Sequence, residues 1–304
     1  MSNSVDDNTQ GLTDFDSLWN YDDPAGTEQK FHTLVPAAEK GSNRAYYLEL
    51  LTQIARTQGL QRRFDDAHQT LDYAVKALTP EMKRARVRYL LERGRVFNSA
   101  KHPDKSRPLF LEAWELGRSA GADNFAIDAA HMMGIIEPPK ESLEWNLKAL
   151  KMAEETKDAK AARWKGSLYN NIGWTYHDQK DYPKALNLFQ KALAFRLEQG
   201  NEGSIRIAKW CVARCLRSLG QVEDALRMQR DLLEEHQSVG SKDGYVNEEV
   251  AECLLILGGT EEARPHFAAA YDVLSKDPWL AESEPDRIKR LKELGNREVR
   301  GQTL

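Results

Sequence analysis

A small residue opens the same short pattern six times along this chain, at Ala55, Gly94, Gly134, Gly173, Ala213 and Ala251. The intervals are 39, 40, 39, 40 and 38 residues. A second series runs beside it, at Ala67, Ser106, Ser142, Ala185, Ala225 and Ala263. A fixed period between about 20 and 50 residues marks a chain built of stacked supersecondary units, none of which can bury its apolar face alone. Stacked units present the same positions side by side along one continuous surface, and such surfaces bind other macromolecules. The period therefore points to binding and leaves the partner open.

The clearest copy runs from Ser167 to Gln199. Leu168, Ile172, Thr175 and Tyr176 fall at spacings of three and four, and so do Ala185, Leu186, Phe189, Ala192 and Leu193. Each run predicts an amphipathic helix. Between them Pro183 suits a first helical turn, where its missing N–H has no partner to lose. Gly200 follows, where a left-handed helix cap is often needed. One unit is thus a helical hairpin, with Gly173, Ala185 and Ala192 small enough for close helix contact.

This register resembles the tetratricopeptide repeat family, whose order of small, aromatic, alanine, aromatic, alanine is met here by Gly173, Tyr176, Ala185, Phe189 and Ala192. The first copy matches with Ala55, Ala67, Leu71 and Ala74, and the sixth with Ala251, Ala263, Phe267 and Ala270. The long period is similar to that of kinesin light chain and the bacterial peptide-pheromone receptors. Arg107-Pro108-Leu109-Phe110 and Arg264-Pro265-His266-Phe267 share one register, and a proline there is familiar from kinesin light chain. It is expected to kink the second helix early. The resemblance implies an all-α, right-handed α-solenoid of about six hairpins over 48–275. The third copy departs from the pattern: Gly134 to Ser142 spans 8 residues, against 12 in the others, and Pro138-Pro139 ends its first helix early. Either a tolerated deletion or a shaped notch follows from that.

Charge divides the chain. The seven acidic residues up to Glu28 precede the first lysine or arginine, leaving 40 acidic against 43 basic residues in the body. Residues 1–23 read as an acidic segment, 24–47 as a half-repeat capping the stack with a helix over Thr27–Glu39, and 276–304 as a C-terminal capping helix and tail. Solenoids need such caps to close their apolar ends. The segment from Asp14 to Asp23 mixes carboxylates with Phe15, Leu18, Trp19 and Tyr21. It either covers the apolar end of the half-repeat, lies in the groove as a self-ligand, or is disordered. No stretch approaches the about 18 apolar residues of a membrane span. The start lacks the layout of a secretory signal, and three scattered cysteines fit packing in a reducing, cytoplasmic setting.

In the family that this register resembles, the first helix of each repeat lines the binding groove. Carried over, that stripe holds Gln53, Arg56, Arg88, Glu92, Arg95 and Asn98 in the first two copies, and His131 and Met132 in the third. The later copies add Asn170, Asn171, Trp174, His177, Trp210, Cys211, Arg214, Arg217, Tyr245, Glu248, Glu249 and Glu252. The expected partner-binding set is Asn170, Asn171, Trp174, His177, Trp210, Arg214, Arg217, Tyr245 and Arg95. The resemblance gives Asn171 the place of an asparagine that hydrogen-bonds a peptide main chain; plain surface is the alternative. An amide offers a donor and an acceptor together, as a peptide group requires. The expected function is a non-enzymatic protein- or peptide-binding scaffold without cofactor or metal. No nucleotide-loop, zinc-protease or nucleophile-elbow motif occurs. The rival is nucleic acid on the arginine-rich run 83–95, with aromatic residues to stack bases. A net charge of −4 supplies no broad field for phosphate, so nucleic acid is the weaker reading.

Overall fold

The computed structural model describes residues 12–296, which are helical, with no strand among them. They divide after Trp164 into two compact units. The N-terminal unit begins with a short 3-10 turn, Phe15–Leu18, and helix α1, Pro24–Lys40. Three hairpins follow: α2 (Arg44–Leu60) with α3 (Phe64–Lys76), α4 (Lys83–Ser99) with α5 (Pro103–Ser119), and α6 (Asp123–Ile136) with α7 (Pro139–Glu155). A one-turn helix, α8 (Ala159–Ala162), ends the unit. The C-terminal unit pairs α9 (Lys165–Asp178) with α10 (Tyr182–Gln199), α11 (Glu202–Ser218) with α12 (Val222–Ser238), and α13 (Gly244–Ile256) with α14 (Thr260–Leu274). It closes with α15 (Pro278–Ser283) and α16 (Pro285–Gly295). Within each unit the second helix of one hairpin also packs on the first helix of the next, so this is an all-α repeat solenoid.

The repeated small residue is where the two helices of a hairpin touch. A Cβ built on Gly173 would lie 2.7 Å from Cε1 of Phe189, and Gly94 faces the ring of Phe110 in the same way. Both rings are fully buried. In the third hairpin Gly134 meets the Asn146 amide instead. The shortened connection puts this partner four residues nearer in sequence, so one helical turn is missing. Helix α6 stops at Ile136, Glu137 turns extended at ψ 156°, and Pro139 starts α7. Ser142 compensates by donating to the Gly134 carbonyl at 2.5 Å.

The other hairpin turns share one conformational demand. Seven residues after the small position the backbone is left-handed in every other hairpin: Arg62 (φ 62°), Lys101 (64°), Lys180 (62°), Gly220 (80°) and Gly258 (84°). Only glycine takes that region without steric cost, so three of these turns carry a modest strain.

Helix starts follow capping chemistry. The Asp23 carboxylate accepts from the Gly26 N–H at 2.9 Å and caps α1, which starts at Pro24 and includes the amphipathic stretch from Thr27 to Glu39. Asn43, Asp181, Asn201 and Asp243 cap α2, α10, α11 and α13 similarly. Pro108 and Pro265 lie inside α5 and α14, and both helices run on through them. At the far end, Leu280 and Leu291 are buried with Phe267 and Ala270, and α16 packs on α14.

Candidate functional site

In the C-terminal unit the first helices α9, α11 and α13 place an aromatic run side by side. The Trp174 and Trp210 ring centroids are 5.8 Å apart, and Trp210 meets Tyr245 edge-on at 6.1 Å. His177 packs on Trp174 at 5.0 Å and pairs through Nε2 with the Ser218 hydroxyl at 2.9 Å. Burial, and then the charge of Arg214, push the His177 pKa down, so the ring is neutral at pH 7. Trp174 and Trp210 are half-buried against Cys211 and Cys215, while Tyr245 is exposed. The Asn170 carboxamide oxygen accepts from the Cys211 thiol at 3.1 Å, and the Asn171 carbonyl accepts from the Thr175 hydroxyl at 3.1 Å.

The expected arginines are committed to internal partners. Arg217 donates twice to Glu249, at 2.7 and 2.9 Å, and Arg214 lies 3.0 Å from the same carboxylate. Glu249 is 5% exposed. Charge-assisted, two-point contacts of this kind fix geometry as well as energy. Arg214 and Arg217 therefore do not present free charge to a partner. Two arginines absent from the sequence reading complete this edge: Arg287 of α16 binds Glu248 and lies 5.3 Å over the Tyr245 ring, and Arg290 binds Glu252.

Arg95 belongs to the N-terminal unit, where it bridges Glu92, at 2.8 Å, and Asp128. The arginines of the run that was the basis for a nucleic-acid reading are all paired with carboxylates. Arg84 pairs with Glu49 and Arg86 with Glu112. Arg88 pairs with Asp16 and Glu49, and Arg93 with Asp72. This unit holds a cavity of about 300 Å³ between α2, α4, α6 and α8, lined by Gln53, Arg56, Arg95, Asp128, Lys160 and Trp164 among others. His131 packs on Trp164 at 5.3 Å.

The segment before α1 borders that cavity. Asp16 takes a two-point contact from Arg88, at 3.0 and 2.6 Å, and a third from Lys160 Nζ at 3.0 Å. Burial pushes the Asp16 carboxyl up, but Arg88 and Lys160 outweigh it and hold it far below the usual carboxylate range. Phe15 packs on Phe31 and Tyr46. The Trp19 indole N–H donates to the Gln53 carboxamide at 3.1 Å.

The three cysteines are buried and free. Burial pushes the Cys211 and Cys253 thiols up to about 12 and Cys215 to about 11, which makes them inert packing groups. Among the described residues no three His, Cys, Asp or Glu side chains gather to hold a metal, and no helix is long and apolar enough to cross a membrane.

The tetratricopeptide repeat family matches residues 137–198, which hold the second helix of the third hairpin, α8 and the fourth hairpin. Solved structures extend the likeness across the chain. A signal transduction ATPase with numerous domains from Pyrococcus horikoshii, carrying a tetratricopeptide repeat sensor, matches at 18% identity and TM-score 0.68; the match covers 88% of this chain and 42% of that one. RapI in its apo form matches at 14% and 0.65, covering 91% and 84%. The quorum sensor NprR from B. thuringiensis matches at 14% and 0.62, covering 92% and 79%; its complex with its cognate peptide NprX matches at 15% and 0.54, covering 96% and 84%. No curated protein sequence matches. The chain thus spans less than half of the first of these structures and most of the other two. Residues 137–198 match tetratricopeptide repeats, and the chain has the all-α repeat-solenoid fold of these structures.

Proposed function

We propose that this chain is a non-enzymatic scaffold that holds a protein or peptide partner on the first helices of its C-terminal unit. The observation that carries the proposal is the run Trp174, Trp210 and Tyr245 across three successive hairpins. Rigid aromatic side chains that are half-buried at a surface are enriched at binding hot spots, because they supply large contact area at little entropic cost. Asn170 and Asn171 precede Trp174 on α9, and their amide groups are of the chemistry that matches a peptide main chain. Arg214 and Arg217 act as struts that hold α11 and α13 in register. The likeness to NprR, which has been solved with its cognate peptide NprX, supports a peptide as the partner.

A peptide-display selection on the full chain tests this. A recurrent sequence should be enriched, and Asn171→Ala combined with Tyr245→Ala should reduce its binding at least tenfold with the melting temperature within a few degrees of the parent. Enrichment that is unaffected by the double substitution would place the surface elsewhere.

A further inference from the structure

The segment ahead of α1 binds its own unit as a separate peptide ligand would. Gln53, which accepts from Trp19, stands two residues before the small position of its hairpin, as Asn171 does in the C-terminal unit. Arg88, which grips Asp16, stands six before, as Tyr245 does. The segment therefore touches the same register of the first helices that the proposed partner surface uses.

Its chemistry is specific. The Arg88 guanidinium lies between two rings, 5.0 Å from Phe15 and 5.2 Å from Phe125 of α6, while its edge faces the Asp16 carboxylate. A cation over aromatic faces with a carboxylate in its plane reads both an aromatic and an acidic group. Lys160 of α8 adds a second charge on the same carboxylate. Three positions further on, the Trp19 ring stacks on Tyr21, 4.7 Å apart and 7° from parallel, and its edge donates to Gln53. Phe15–Leu18 forms only a single helical turn; besides these side-chain contacts, Thr13 accepts from the Tyr46 hydroxyl, Asn20 exchanges hydrogen bonds with the Thr27 hydroxyl, and Phe15 is buried.

We propose that the first helices of the N-terminal unit form a second docking surface, for a peptide of the pattern aromatic–Asp–two residues–Trp, and that Phe15–Trp19 is its resident, displaceable occupant. The surface is distinct from that of α9, α11 and α13, and neither depends on the other. Tethering gives the resident a local concentration of about millimolar, so a free peptide of equal intrinsic affinity competes poorly until the resident is weakened.

The probe is a labelled synthetic peptide with the sequence of residues 12–23, followed by fluorescence anisotropy on the full chain. Asp16→Ala removes the resident's charged anchor and changes no other side chain of the segment. The peptide should bind this variant at least tenfold more tightly than the wild-type chain, and adding Lys160→Glu should weaken that binding again at least fivefold. Lys160 is largely exposed, so the second change leaves the fold intact. Equal binding to wild type and Asp16→Ala, or no binding to either, overturns the proposal. A second measurement needs no variant. Amide hydrogen exchange over 14–21 in the wild-type chain should rise when the peptide is added at millimolar concentration. Unchanged exchange identifies the segment as a fixed part of the fold and overturns the proposal as well.

Discussion

Glu249 holds Arg217 by two hydrogen bonds, at 2.7 and 2.9 Å, and shares its carboxylate with Arg214 of the same helix at 3.0 Å. One buried anion therefore fastens α11 to α13 through two cations that reach it from separate turns. Either arginine alone still neutralises the carboxylate; without both, a charge that is 5% exposed has no partner.

The stability losses should accordingly be non-additive. Arg214→Ala and Arg217→Ala are each expected to cost about 1 kcal/mol. The double variant leaves an uncompensated buried charge, which costs about 3–5 kcal/mol. Denaturant unfolding of the four chains gives the coupling directly. Losses that simply add would show that water already solvates Glu249.

The contact between Gly173 and Phe189 gives a second prediction. Any side chain at this position must displace a fully buried ring. Gly173→Leu is expected to destabilise the chain by about 1–3 kcal/mol or more, as overpacking does. Phe189→Leu added to it should recover part of that loss by making room. Thermal melting checks both, and an unchanged melting point for Gly173→Leu would displace the hairpin register.

That register was legible because every hairpin repeats the same requirement. Gly173 and Phe189 stand 16 residues apart, as do Gly94 and Phe110, and the shortened third copy shows its missing turn directly in the sequence. The left-handed turn position is legible where glycine fills it, at Gly220 and Gly258, and hidden where Arg62, Lys101 and Lys180 do. Helix α8 left no pattern, since four residues carry no periodicity. The repeat register, read with the family resemblance, put Trp174, Trp210 and Tyr245 on first helices, where they lie side by side. Their charged neighbours were not resolved, because Glu248, Glu249 and Glu252 read as a solvated stripe until Arg217, Arg287 and Arg290 are placed over them. Composition showed that the acidic start and the arginine-bearing first helices are complementary. It could not select Arg88 for Asp16, a pair 72 residues apart with no period to relate them.

That pair makes a prediction about pH. The Asp16 carboxyl is held far below its ordinary range in the folded chain, whereas in the unfolded chain it titrates near pH 4. A depressed folded pKa means that the unfolded state takes up the proton first as pH falls. The stabilisation is therefore complete above about pH 4 and declines as pH drops through the folded value. Asp16→Asn lacks that term, and hydrogen bonds to charged groups of this kind contribute about 1.5–3 kcal/mol. Denaturant unfolding should show wild type more stable than Asp16→Asn by roughly that amount, with a gap constant between pH 7 and pH 5. Below about pH 4 the gap should narrow steadily. A gap that persists undiminished at pH 3 would mean that packing around Phe15, rather than the charge on Asp16, anchors the segment; no gap at pH 7 would mean that water satisfies Arg88 as well as the carboxylate does.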